Sequence, residues 1–443
     1  MLKPGWFNEY SPDLQKKYDN ILKIIENNFQ RFNYAHIQTP AVEKNSTLTA
    51  KWWDEISKQI FGLYWLAQWK NDLKKYSLRF DHTIPFARFV IDNFDKLVFP
   101  FKKYQIWKIR RWERQQKWRY KEFMQADIDV IWENKKYDNV YYYDSEVIVV
   151  LYKCLDEINA ELWTNLNFVI NINNKKIIQD FVKDISTNKE GQQKILTLID
   201  KKDKLSYTQF QAELDQIWIK EKDQEKLQKF LSWQASIENL DEFLELSDSK
   251  NYRKWIEELK QTVSNIESIA KAIWLNINYK INFGIVRWLD YYTWLVFEIQ
   301  ILDNPDLWSV CGWWRYDNLT TFLNKKFNCS WVWGSIWVDR IFGWLLEKGL
   351  LDKKPVENEL DYFFLNFEET YQDILNLMGQ FLKEWYNVEM FPFEDKLKNQ
   401  LNTANKKSAK NVIILWPNEK TKGYYIKKDM STWQEQKMNI TFK

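Results

Sequence analysis

At 443 residues the chain exceeds one ordinary hydrophobic core, so two or three domains are expected. With 64 Lys and Arg against 61 Asp and Glu, a formal net charge of +3 excludes a bulk polycation, and any grip on nucleic acid must come from local patches. Cys154, Cys311 and Cys329 are far apart, odd in number and without a C-x-x-C pair, which supports neither a disulfide framework nor a cysteine zinc site and fits a reducing cytoplasm.

The opening "MLKPGWFNEYSPDLQKKYDN" turns polar at once, and no run of about 18 apolar residues follows anywhere, so neither export nor a membrane span is expected. Residues 12 to 33 carry apolar side chains at helical spacing after Ser11-Pro12, and a strand-like "AHIQTPAV" comes next. "SLRFDHTIPFARFVIDNF" (Ser77 to Phe94) predicts a strand ending in polar residues and then a helix opening near Ile84-Pro85. "YQIWKIRRWER" and "YKEFMQADIDVIW" predict an antiparallel hairpin joined by a basic loop around Gln115 to Arg119, with Phe123, Ala126, Ile128 and Val130 on its apolar side. From Asn174 to Glu258 the text becomes Lys-, Glu-, Gln- and Leu-rich and reads as an inserted helical domain. Strands return at "NINYKINFGIVRWLDYYTWLVFEIQIL". After the polar "LEKGLLDKKPVENEL", alternating strands and helices indicate a small α/β domain.

Glycine and tryptophan are out of proportion. Usage of about 7% would give roughly 31 glycines in such a chain, whereas 10 Gly and 26 Trp are present. Together the two come close to, and slightly exceed, an ordinary glycine count. The tryptophans also fall in turns and motifs, as in "SVCGWWRYDNL" (Ser309 to Leu319), and not at core periodicity. We therefore expect glycine's chemistry at most or all of these positions, as arises where UGA encodes glycine and is translated as tryptophan.

Three arginines stand out: Arg111 at a strand end, Arg287 in "VRWLDYY" and Arg340 in "VDRIF". A planar guanidinium binds phosphate oxygens bidentately and stays charged, so separated arginines converging on one pocket suit a polyphosphate. A lone arginine is most often solvated surface.

Along nearly its whole length the chain resembles the histidyl-tRNA synthetases, a class II aminoacyl-tRNA synthetase family. "SLRFDHTIPFARFV" is similar to the family's "LRxDxT" segment, "RRWERQQKWRYKEFMQADIDVI" to its motif 2, and "VWGSIWVDRIF" to motif 3, "GGSIGVDRL". "VRWLDYYTWLVFE" and "CGWWRYDNL" are similar to the histidine-specific "RGLDYYTGxxFE" and "xGGGRYDxL". Trp112, Trp118, Trp288, Trp294, Trp313, Trp314 and Trp337 stand where the family has glycine.

The resemblance implies an α+β fold: a class II antiparallel sheet flanked by helices, with a helical insertion and a C-terminal α/β anticodon-binding domain. The implied segments are a catalytic core at 1–173 and 259–350, an insertion at 174–258 and an anticodon-binding domain at 358–443. It also implies a cytoplasmic homodimer, with motif 1 around "IQTPAVEKNS" at the interface. The implied reaction joins L-histidine to tRNA(His) through histidyl-adenylate, with ATP as substrate and Mg²⁺ on its phosphates. No protein side chain is assigned to a metal, and no membrane partner is expected.

By the same resemblance Arg111 holds the α-phosphate, Glu113 accepts from the adenine amino group, and Arg119 and Arg340 contact ATP, Arg340 at the γ-phosphate. Arg287 meets the α-phosphate and the substrate carboxylate. Asp81, Thr83 and Gln125 hold the α-ammonium group, Asp129 and Tyr292 the two imidazole nitrogens, and Tyr291 lies beside them; without the flanking Arg287 and Asp290 both tyrosines would read as core aromatics. Gln116 approaches the tRNA acceptor end, and Lys117 and Arg119 could meet phosphates. His82 departs from the family's usual Leu or Gly and reads as a tolerated substitution, and Gln115 replaces a common Pro. The alternative is a non-catalytic regulatory paralogue that binds histidine or tRNA. Such paralogues lose the ATP arginines or the tail, which this chain keeps. A relic inactivated by genuine tryptophans would differ from an active enzyme in the residue at position 313.

Overall fold

Ser11 accepts from the Leu14 N–H and Pro12 fills the first turn, so α1 (Pro12–Arg31) begins at the predicted signal and buries Tyr18, Ile21, Ile25 and Phe29 on one face. The computed structural model describes residues 4–49, 57–63, 75–112, 116–133, 141–186, 188–200, 205–217, 220–232, 239–285, 295–304, 307, 309–317, 319–352 and 360–440. The chain divides into two units, Met1–Lys354 and Pro355–Lys443.

The first unit is built on an eight-stranded sheet. Its strands are β1 (Ala35–His36), β5 (Phe101–Arg110), β6 (Glu122–Glu133), β7 (Phe168–Asn174), β8 (Tyr279–Ile281), β9 (Leu295–Ile301), β10 (Cys311–Tyr316) and β11 (Cys329–Trp337). They run in the order β1-β5-β6-β11-β10-β9-β7-β8. Every pair from β5 through to β7 is antiparallel, and the outer pairs β1/β5 and β7/β8 are parallel. A smaller antiparallel sheet joins β2 (Val42–Lys44), β4 (Tyr76–Leu78) and β3 (Gly62–Leu63). The "AHIQTPAV" stretch is thus two short strands with a break between them.

Side-chain alternation gives the large sheet two unlike faces. Ala126, Ile128 and Val130 of β6, Val332 and Ile336 of β11, and Phe297 and Ile299 of β9 join one core with α1, α3 (Tyr142–Glu161) and α8 (Lys250–Ala272). The opposite face carries Gln125, Asp127 and Asp129 of β6 and Trp331, Trp333 and Trp337 of β11, and α2 (Thr83–Asp92) packs there through Phe86, Ala87 and Val90. Phe123 lies on this second face, against its cluster, and not with Ala126 as the sequence pattern predicts. Its place follows from parity: 123 and 125 are two residues apart, 123 and 126 three.

After β7 come α4 (Lys175–Ile185), α5 (Lys189–Asp200), α6 (Tyr207–Asp215) and α7 (Glu221–Ser232). Asn174 caps α4 through the Lys176 N–H, and Ser206 with Gln209 forms a capping box on α6. Phe181 stacks on Phe230 at 4.6 Å between ring centroids, and α8 is tied to α3 by Ser145 donating to the Thr262 carbonyl at 3.0 Å.

The second unit is a five-stranded sheet in the order β13-β12-β14-β15-β16. It comprises β12 (Tyr362–Phe364), β13 (Val388–Met390), β14 (Asn411–Ile414), β15 (Tyr424–Asp429) and β16 (Glu435–Asn439). α11 (Leu397–Lys406) covers one face through Ala404, with Phe363, Val412 and Ile414; α10 (Tyr371–Lys383) covers the other through Ile374 and Leu377, with Phe364 and Ile413. Both faces are covered, as an α/β layer requires.

Candidate active site

β5 and β6 form the predicted hairpin, and their register sets Lys103 opposite Asp129, Gln105 opposite Asp127 and Trp107 opposite Gln125. Lys103, Gln105, Gln125, Asp127 and Asp129 are all fully buried. So many buried polar side chains on one strand face are costly unless something polar meets them.

Gln125 is the clearest case. Neither its amide oxygen nor its amide nitrogen has a hydrogen-bond partner among the described residues. It leaves both a donor and an acceptor unmatched on that face. Asp129 pairs with Lys103 at 2.5 Å and accepts from the Trp331 indole N–H at 2.6 Å. Burial pushes its carboxyl up to about 6 against the pull of Lys103. Between the two lies Asp127, facing the His82 Nδ1 at 3.1 Å. Burial drives His82 down to about 4, so it is neutral at ordinary pH and donates its Nδ1 proton to the carboxylate.

Asp81 and Thr83 sit at the start of α2, where Asp81 accepts from the Ile84 N–H at 3.3 Å. Burial raises the Asp81 carboxyl to about 7, opposed chiefly by Arg111. Arg111 donates from Nε to the Phe80 carbonyl at 2.8 Å and lies 5.6 Å from the centre of the Phe123 ring. The segment 80–83 and the end of β5 therefore meet, bringing Asp81 and Arg111 together at one edge of the buried row.

Arg340 leaves the first turn of α9 (Val338–Glu347), donates to the Ser309 carbonyl and lies 4.6 Å from the centre of the Trp337 ring. Its neighbour Asp339 points the other way, accepting from the Met124 N–H at 2.5 Å, Tyr18 at 2.8 Å and Tyr10 at 3.2 Å. Asp339 thus ties α9 to β6 and α1 and fixes where Arg340 starts. Gln116 and Lys117 are exposed on the turn after Gln115, Lys117 pairing with Glu347 at 2.6 Å. Arg119 closes that turn, its N–H donating to the Gln116 carbonyl at 3.0 Å.

Glu113, Arg287, Tyr291 and Tyr292 lie outside the described residues, as do Gln115, Trp288 and Trp294. Sequence reasoning missed Lys103, Asp127, the His82 contact and the Asp339 anchor. The available signal was period-2 spacing: Asp127 lies midway between Gln125 and Asp129 on one face. Arg315, in "GWWRYD", points to the other face, where it is held by Asp144 at 3.0 Å and Asp317 at 2.9 Å.

The comparisons with known proteins agree with this architecture. The profile described as histidyl-tRNA synthetase matches residues 6–327. The chain belongs to the histidyl-tRNA synthetase family. It is 31% identical over 442 residues to a histidine–tRNA ligase of Clostridium acetobutylicum, covering 99% of this chain and 97% of the relative. It is 32% identical to one of Finegoldia magna, covering 99% and 96%. The fold is shared with the crystal structure of a histidyl-tRNA synthetase from a Nostoc species, at a TM-score of 0.83 and 23% identity, over 99% of this chain and 96% of that one. A Bacillus halodurans protein titled ATP phosphoribosyltransferase regulatory subunit/histidyl-tRNA synthetase shares it too, at a TM-score of 0.73 and 17% identity, over 90% of this chain and 96% of that one.

Proposed function

We propose that the chain activates L-histidine with ATP to give histidyl-adenylate and pyrophosphate, then transfers the histidyl group to the terminal ribose of tRNA(His). The observation that carries this reading is the buried row Gln125, Asp127, Asp129 beside Asp81 and Arg111, on a sheet of the family's fold. Asp81, Thr83 and Gln125 hold the α-ammonium group. Asp129 accepts from one imidazole nitrogen and Tyr292 meets the other, with Tyr291 beside it. An analogue lacking those ring nitrogens would strand buried polar groups, which is how such a site discriminates.

Arg111 and Arg287 face the α-phosphate, Arg287 also the substrate carboxylate, while Arg340 holds the γ-phosphate, Arg119 contacts ATP and Glu113 accepts from the adenine amino group. Attack of the histidine carboxylate on the α-phosphorus expels pyrophosphate. The protein's part is to align the two and stabilise the charge that develops. Among the described residues no group of three or more His, Cys, Asp or Glu could hold a metal ion. Mg²⁺ would arrive on the phosphates of the ATP substrate and would supply charge neutralisation there.

Gln116 meets the acceptor end of tRNA, the insertion at 174–258 reaches toward the acceptor stem, and the 358–443 segment reads the anticodon. A cytoplasmic homodimer built through the segment around Thr39 completes the proposal; no helix among the described residues is long and apolar enough to cross a membrane. A regulatory paralogue that only binds histidine or tRNA is disfavoured by retention of Arg111, Arg287, Arg340 and the second unit. ATP–pyrophosphate exchange measured across the amino acids tests the reading. Exchange with histidine alone is expected, and none with histidine would overturn it.

A further inference from the structure

Eight residues other than glycine have a positive φ among the described residues, and six of them are tryptophan: Trp6, Trp118, Trp163, Trp274, Trp385 and Trp433, at 51° to 71°. A side chain in that left-handed region brings its β-carbon against the backbone, which is why glycine is the usual occupant. Bulky residues there are outliers that need a local reason. We infer that these positions, together with Trp314, Trp331, Trp333 and Trp337 on the site face, are glycine in the working enzyme, inserted at UGA codons.

The local hydrogen bonds say which motif each position serves. Trp163 donates to the Ala160 carbonyl while Thr164 reaches back to Asn159; Trp274 donates to Lys271 while Leu275 reaches Ala270; Trp385 donates to Leu382 while Tyr386 reaches Phe381. Each is the paired-bond ending of a helix whose left-handed residue is ordinarily glycine or asparagine. Asn33 fills the same place after α1, with Asn33 bonding Gln30 and Tyr34 bonding Phe29. The indoles gain nothing in return: Trp274 is 96% exposed and Trp385 94%. At Trp118 the Arg119 N–H bonds the Gln116 carbonyl, and a positive φ at the third residue of such a turn calls for glycine.

A second and independent observation comes from the buried tryptophans. Trp132, Trp333 and Trp344 have indole N–H groups with no partner among the described residues, although buried indoles ordinarily find one. Trp331 does find one, and it is Asp129, the carboxylate assigned to the imidazole. Trp314 and Trp333 stack at 4.7 Å over the same face. A β-carbon built on Gly312 would stand 2.7 Å from the Trp337 ring, so that indole lies directly over the neighbouring backbone. Glycine at these four positions would release Asp129 from the Trp331 indole, leaving Lys103 as its partner, and open the face beside Gln125. This last point rests on the proposed function; the backbone argument does not.

The test is peptide mass spectrometry of the enzyme purified from its own cells, read at residues 118, 163, 274, 385 and 433. Glycine masses are expected, and tryptophan masses would overturn the inference. A recombinant chain with tryptophan throughout supplies a second reading: Trp385→Gly should raise the melting temperature of the small second unit by about 4–8 °C and Trp274→Gly that of the larger first unit by up to about 2 °C, and a fall in either would count against it. Replacing Trp314, Trp331, Trp333 and Trp337 by glycine should raise histidine-dependent pyrophosphate exchange by about a hundredfold or more, the scale on which misplaced reacting groups lose rate. If peptides show glycine and the glycine-bearing chain still lacks exchange, the inference stands and the proposed activity falls.

Discussion

Asp81 offers the sharpest test of the amino-acid site. Burial raises its carboxyl to about 7, with Arg111 pulling the other way. Only the ionised form can hold an α-ammonium group, so binding histidine must expel a proton wherever the empty site is protonated. Affinity for histidine should therefore fall as pH drops through about 7, by about tenfold for each further pH unit. The folding sign is the reverse. A carboxyl raised in the folded state stabilises the empty protein most below its unfolded value of about 3.9, and that contribution is lost as pH rises through about 7. Asp81→Asn keeps the size and removes the charge. A hydrogen bond to a charged group is worth about 1.5–3 kcal/mol, so the KM for histidine should rise about 10–150-fold at neutral pH or above. The assay is histidine-dependent pyrophosphate exchange for parent and variant from about pH 5.5 to about 8.5, a range spanning the Asp81 transition. Histidine's own imidazole and Asp129 titrate in both proteins, so the ratio of the two KM values isolates Asp81. That ratio should shrink toward acid; a ratio constant across pH would refute the assignment.

Arg287→Ala should abolish exchange while leaving the circular dichroism spectrum and melting temperature unchanged, since its proposed partners are substrate groups; exchange within about twofold of the parent would remove Arg287 from the reaction. Deleting the chain from Asn358 should spare adenylate formation and sharply weaken aminoacylation, and equal loss of both would mean that the second unit supports the catalytic core. Arg315→Met leaves the buried Asp144 and the partly buried Asp317 without their shared cation, at a cost of about 3–5 kcal/mol, read as a lower urea midpoint; an unchanged midpoint would show that the ion pairs do not hold β10 to α3.

The sequence revealed α1 by its spacing and its Ser11-Pro12 start, β5 and β6 by their apolar pattern, and β8 and β9 as a strand-rich stretch, whereas β7, β10, β11 and the long helices α3 and α8 were not singled out. What covers a strand face is a different matter. Alternating Gln125, Asp127 and Asp129 resemble the wet side of a hairpin, yet all three are fully buried. Their environment comes from α2 and β11, which are distant in the chain. The pairing of Lys103 with Asp129 was hidden because it depends on the register across the loop between β5 and β6, and one residue of slip would send each side chain to the other face. Arg315 was legible as part of a motif, but its buried bracket needs Asp144, 171 residues earlier. β16, "EQKMN", was missed for a simpler reason: all five residues are exposed, so no apolar alternation marks it.

The two faces of the large sheet divide the work of folding and binding. The apolar face, with Ile128 and Val130 of β6 against α3, supplies burial that stabilises the unit. The polar face does the opposite, since Gln125 has amide groups unmatched among the described residues and Asp81 and Asp129 are held above their usual range by burial. On the proposed reading, each of these groups costs stability in the empty protein at neutral pH and would be relieved by a ligand that brings an ammonium group and ring nitrogens. Preorganisation of this kind means that the ordering cost is met by the fold and not at binding, so the ligand's polar contacts go further toward affinity and discrimination. The same logic explains why such a row sits on rigid central strands: in a loop, the buried carboxylates would relax into solvent and lose the mismatch on which recognition depends.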